Sequence, residues 1–164
     1  MLTKTINFKV KLSNTSVLRT RGTTNMNAEH AELDEQKVNV RIKLAGLWTA
    51  LMFLYIYIDY FHLHTPGAIS GIIEGKVFEF DITQTFTVIG LTSVAIPAIM
   101  IYLSLVLKAK INRQVNMVAG IFYTIYSGLN LISETWVFYY WGFFMELVLF
   151  IIIVRTAFKW PALP

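Results

Sequence analysis

Cysteine is missing from all 164 residues. Its absence removes disulfides, thiol redox chemistry, thiolate zinc sites and iron–sulfur clusters together. Four-helix membrane oxidoreductases that pass electrons through paired cysteines are excluded with them. Charge is scarce as well: 15% of the residues are Asp, Glu, Lys or Arg, against about 25% in an ordinary soluble domain. Glycine-rich phosphate loops, nucleophile elbows and zinc-hydrolase signatures are also lacking. The sequence therefore offers no ready-made enzyme.

Hydrophobic residues make up 55% of the chain and aromatic residues 15%. They concentrate in four stretches, about 44–63, 82–107, 115–133 and 136–154. A helix rises about 1.5 Å per residue, so roughly 20 residues cross about 30 Å of hydrocarbon. Each stretch approaches or exceeds that length. Soluble helices show a polar stripe at a period of about 3.6 residues, and Phe143–Val154 shows almost none. These patterns predict an all-α fold, a polytopic four-transmembrane-helix bundle over residues 43–161. The bilayer is its immediate partner, and residues 1–42 form a disordered basic cytoplasmic tail.

The basic residues give an orientation. Counted by alternate sides of the four stretches, thirteen Lys and Arg fall on one side and only Lys76 on the other. Loops rich in Lys and Arg stay cytoplasmic, so both termini and the turn at Lys108–Arg113 are expected inside. A net charge of +4 thus reports topology, and nucleic acid is not an expected partner. The same imbalance argues against small multidrug exporters that insert in both orientations.

Polar residues inside the spans carry the functional expectations. Glu146 lies about ten residues into the fourth stretch, roughly 15 Å deep. An ionised acid there costs at least about 2.5–3.5 kcal/mol. It must be protonated, paired or facing a wet cavity, either as a proton or cation site or as hydrogen-bonding glue between helices. Asp59 sits in the outer third of the first stretch, with Tyr55 and His62 on its face at i−4 and i+3. Asn130 is expected at the same level. Asp59, Glu146, Asn130, Tyr55 and His62 therefore form the candidate intramembrane polar site, with Glu134 at its edge. The alternative is a set of interfacial side chains that reach headgroups and water.

Asp59, His62 and His64 lack a further ligand on one face, so no metal is expected. Haem needs histidines facing each other across helices, so no cofactor is expected either. Gly120, Thr124 and Gly128 recur at intervals of four and mark helix packing. Pro97 should kink the second span where a neighbouring helix tolerates it. Asp81 reads as the N-cap of that span, and the Gly- and Phe-bearing connection before it as a short helix or turn.

Several segments resemble a bacterial family of small four-span membrane proteins known only as a domain of unknown function. They are Leu47–Trp48, Tyr55–Asp59, Ile82–Gln84, Ile96–Pro97, Asn112–Asn116, Glu146 and Lys159–Trp160. The resemblance covers residues about 43–161 and implies a bacterial cytoplasmic membrane, with no activity, substrate or cofactor. Similarity to DoxX-like proteins is one of architecture. Two functional expectations follow. One is a non-enzymatic membrane interaction protein, associating with itself or with other membrane proteins. The other is an oligomeric proton- or cation-coupled transporter or channel using Glu146 and Asp59.

Overall fold

The structure, a computed structural model, describes residues 37–161 apart from 79 and 133. The basic tail and the acidic patch at Glu29–Glu35 lie outside the described residues. In chain order the elements are α1 (Val40–His62), α2 (Ala68–Ile73), β1 (Lys76–Val77), β2 (Phe80–Asp81), α3 (Gln84–Val106), α4 (Ala109–Leu129) and α5 (Val137–Phe158). Three of them, α1, α3 and α5, are long and apolar enough to cross a membrane. Helix α4 has comparable length at 21 residues. Its first two turns, however, carry Lys110, Asn112, Arg113, Gln114 and Asn116.

Helix α4 starts and ends several residues earlier than its hydropathy suggests, because hydropathy follows apolar content and the helix follows its caps. The chain is extended at Leu107 and Lys108, then helical from Ala109. Leu131 and Ile132 fall in the turn after the helix. The N-cap of α3 also differs from expectation. Thr83 accepts from the Phe86 amide at 3.1 Å, whereas Asp81 is drawn into β2, where it pairs with Lys76.

Helix α1 packs against both α3 and α5, α5 packs against α4, and α3 meets α4 only sparsely. Leu44, Trp48 and Leu51 of α1 meet Met100 of α3, Tyr123 of α4, and Phe150, Ile153 and Ala157 of α5 in one core. The Trp48 ring stands edge-on to Tyr123 and Phe150, with centroids 6.3 and 6.4 Å away. Edge-to-face pairs of this kind add about 0.5–1.5 kcal/mol beyond burial. Most of the remaining large apolar side chains point outward, Leu91 at 73% exposure and Val118 at 68% among them. In water such a surface would aggregate; against lipid tails it is the solvent-facing side.

Two glycines set how closely the helices approach. A Cβ on Gly120 would lie 2.8 Å from Val154 Cγ2, and one on Gly142 would lie 2.7 Å from Ile58 Cδ1. Gly120 therefore fixes the α4–α5 distance and Gly142 the α1–α5 distance. Gly128 is different, since a Cβ there would meet the Phe143 ring at an ordinary 3.6 Å. The Thr124 hydroxyl turns back onto its own helix, donating to the Gly120 carbonyl at 2.7 Å.

Pro97 is buried inside α3. Having no amide hydrogen, it cannot donate to the carbonyl four residues earlier, which belongs to Ser93. The Tyr123 hydroxyl of α4 donates to that carbonyl at 2.8 Å. A neighbouring helix thus satisfies the group that proline strands.

Candidate functional site

Polar side chains inside this bundle fall into two systems of opposite character. The first lies at the end where α1 starts and α3 ends. The Trp48 indole N–H donates to Asn116 Oδ1 at 2.7 Å, and the Ser104 hydroxyl donates to the same oxygen at 3.2 Å. Asn116 Nδ2 in turn donates to the Asn112 carbonyl at 2.9 Å and to Asn112 Oδ1 at 2.6 Å. Asn112 Nδ2 donates to the Ser104 carbonyl at 2.6 Å. All four side chains are fully buried.

This network ties α1, α3 and α4 together and leaves its members satisfied, the condition under which a buried polar cluster rigidifies a fold. It also caps α3, whose last carbonyls lack helical donors. Asn112 takes the Ser104 carbonyl and Arg41 Nη1 takes that of Leu105 at 2.7 Å. Sequence reasoning missed the network. The signal available was two asparagines four residues apart, on one face of a helix.

The second system lies toward the other end and contains an unsatisfied group. Glu146 and Ser127 are each 7% exposed. Ser127 faces both the Glu146 carboxyl and the Tyr55 phenol, so α1, α4 and α5 each contribute one group. The Tyr55 hydroxyl is buried without a hydrogen-bond partner among the described residues. An orphaned buried polar atom costs about 1–3 kcal/mol, so its place invites a water or a polar group from elsewhere.

Asp59, one turn beyond Tyr55, is exposed and lies within electrostatic reach of Glu146 and of His62. Of the expected set, Tyr55 and Glu146 both face Ser127, and Asp59 stands one turn further along α1. His62 is engaged elsewhere: its Nδ1 is hydrogen-bonded to the Tyr139 hydroxyl. Asn130 is the exposed C-cap of α4, above the system rather than in it.

Helix α3 packs differently at the two ends of the bundle. From Gln84 to Thr92 every residue except Phe86 is exposed, whereas Pro97, Met100 and Ser104 are buried. The helix packs along one half of its length and stands off along the other, and the change falls just before Pro97. Beside the stand-off, α1, α4 and α5 remain in contact through Gly142, His62–Tyr139 and Gly128–Phe143.

The hairpin of β1 and β2 reaches the same end. Its register pairs Lys76 with Asp81 and Val77 with Phe80. Phe78 at the tip has φ +52°, a left-handed conformation rarely adopted by a bulky residue. Its ring packs 4.7 Å from the His62 ring and 6.4 Å from the Tyr139 ring, a contact that offsets the strain. Glu134, in the connection before α5, has its carboxyl pushed above the ordinary range by partial burial.

Charge separates the two ends. Among the described residues Lys37, Arg41, Lys43, Lys108, Lys110, Arg113, Arg155 and Lys159 cluster at the end holding the satisfied network, with no acid. The hairpin end has Asp59, Glu74, Asp81 and Glu134 against Lys76. Chemically, the unsatisfied system is two carboxyls, a phenol and a hydroxyl, with no activated nucleophile beside a base. Among the described residues no three His, Asp or Glu side chains converge on a metal position. The arrangement can bind a polar group, a water or a proton.

A family of unknown function, DUF6326, matches residues 31–162. The match takes in most of the chain and every helix described above, and the chain belongs to that family. No curated protein and no solved structure matches it.

Proposed function

We propose, for a member of a family without an assigned activity, a non-enzymatic role as a membrane protein that associates with another membrane protein or a second copy of itself. In this reading α4 is the fourth span, both termini lie in the cytoplasm, and the membrane is a bacterial cytoplasmic membrane. The basic end faces inward. The outward half is the receptive part: α3 stands off there, and the buried Tyr55 hydroxyl lacks a hydrogen-bond partner among the described residues. That unmatched hydroxyl beside an open helix face is the observation that carries the reading. A polar group from an incoming helix would satisfy it, as polar side chains do between helices in lipid.

The cysteine-free chain makes the test direct. Leu91, on the stand-off half of α3, and Val118, on α4, are comparably exposed. In native membranes Leu91→Cys is expected to crosslink to a neighbouring protein or a second copy, and Val118→Cys is not. Equal crosslinking at both positions, or none at Leu91, rejects the reading.

A second reading is favoured by the pair Asp59 and Glu146, one exposed and one buried, on helices α1 and α5 that pack together. Two carboxyls at successive depths make a stepping path for a proton or cation. Glu146→Gln keeps the shape of the side chain and removes its proton. It would abolish ion flux in proteoliposomes under this reading and leave association intact under the first.

A further inference from the structure

We infer that the chain carries an anionic-phospholipid site on the outer face of α4 and α5, its charged end at the end of the molecule opposite the Tyr55–Ser127–Glu146 system. The structure holds a groove there of about 390 Å³, lined by Thr124, Phe150, Ile151, Val154, Arg155 and Phe158. Its wall is apolar along one turn after another of α5, and it closes on a guanidinium. A second guanidinium adjoins it from α4: Arg113 lies 5.5 Å from the centroid of the Phe158 ring. Gly120 lets α4 and α5 approach closely beneath the groove: a Cβ there would lie 2.8 Å from Val154 Cγ2 and 3.5 Å from Ile153 Cγ2.

The two ends of the groove call for one kind of occupant. An acyl chain fits the apolar length, since lipid tails and these side chains are equally apolar. The arginines call for an anion at the headgroup level. Arg155 and Phe158 lie in the last turn of α5, where long basic side chains reach the phosphate layer. No acidic side chain among the described residues lies at that end to neutralise them. Arginine also matches phosphate geometry with two parallel N–H donors, and basic pockets between helices near the headgroups bind anionic lipids. This site is separate from the Tyr55–Ser127–Glu146 system and stands whichever reading of that system holds. It does not depend on which way the chain faces.

The test is native mass spectrometry of the full chain in detergent, titrated with phosphatidylglycerol or with phosphatidylcholine of identical acyl chains. One phosphatidylglycerol is expected to bind in preference to phosphatidylcholine, by about fivefold for each arginine engaged. Arg155→Gln should lower that preference about fivefold and Arg155→Lys should largely keep it. Thr124→Trp, which fills the groove, should remove the single bound lipid of either kind. Lys43→Gln, at the same end on α1, should leave the preference unchanged. If Arg155→Gln fails to fold, Arg113→Gln carries the same test from the other helix.

Equal binding of the two lipids overturns the inference. So does a loss in Lys43→Gln as large as in Arg155→Gln, which would mean diffuse surface charge. A preference that emerges only after Glu29, Glu32, Asp34 and Glu35 are neutralised assigns the arginines to the chain's own acidic segment, and also overturns it.

Discussion

Replacing Tyr123 by Phe removes a single oxygen and nothing else. That oxygen donates to the Ser93 carbonyl at 2.8 Å, the group that Pro97 deprives of its helical donor. In an apolar surround the stranded carbonyl costs about 1–3 kcal/mol. Hydrogen bonds between helices in lipid average about 0.6 kcal/mol and reach about 1.7. Tyr123 is buried and Ser93 half-buried, which places Tyr123→Phe at roughly 1–1.5 kcal/mol within those limits.

Pro97→Ala returns an amide hydrogen to α3, which can donate to the same carbonyl. In the Pro97→Ala background Tyr123→Phe should therefore cost less than about 0.5 kcal/mol, giving a coupling of about 1 kcal/mol. The four proteins are compared by reversible unfolding in mixed detergent–dodecyl sulfate micelles, followed by circular dichroism. Costs that add to within about 0.3–0.5 kcal/mol would mean the two residues are independent. That result refutes the assignment of Tyr123 as the replacement donor for Pro97.

Asn116→Ala strands the Trp48 indole N–H and the Ser104 hydroxyl, both fully buried, and is expected to cost about 2–4 kcal/mol in the same assay. Gly120→Ala drives a methyl into Val154, whose branched side chain is held stiffly on a helix, and should cost about 1–3 kcal/mol. Gly128→Ala should be near neutral; Gly142→Ala should cost less than Gly120→Ala because the terminal methyl of Ile58 can swing aside. Burial raises Glu134 above its ordinary 4.5, so the folded state holds a proton that the unfolded chain has released. Its contribution to stability therefore falls as pH rises from 4.5 through the raised value. Glu134→Gln should flatten that part of the stability–pH curve, and an unchanged curve would mean that Glu134 is solvated.

The apolar stretches at 44–63, 82–107 and 136–154 correspond to the long apolar helices because a spanning helix needs an uninterrupted run, and a run is visible in sequence. Glu146 was legible for the same reason, as one acid in a run that has no other. Pro97 announced that some donor was needed, though nothing along the chain named Tyr123. The Trp48–Asn116–Asn112–Ser104 network was not legible, since its four members come from three helices and the asparagines read as a polar turn. Gly142 went unseen because a lone glycine without a spaced partner carries no pattern. Phe78 was counted as one apolar residue of a connection, and its positive φ belongs to the hairpin register. The stand-off of α3 is hidden by its uniform hydrophobicity: a helix apolar on every face does not say which face packs.

The central claim is that one half of the bundle is closed by a satisfied polar network, while in the other half, where α3 stands off, water reaches the group formed by Tyr55, Ser127 and Glu146. In a chain without cysteine, Ser104→Cys and Ser127→Cys place the same small thiol at two buried positions, one in each half. A water-soluble maleimide, which needs a water-exposed thiolate to react, is added to the purified protein in nanodiscs. Cys at 127 is expected to react and Cys at 104 to stay protected until the protein is unfolded. Equal protection at both positions, or reaction at 104 alone, would contradict the claim.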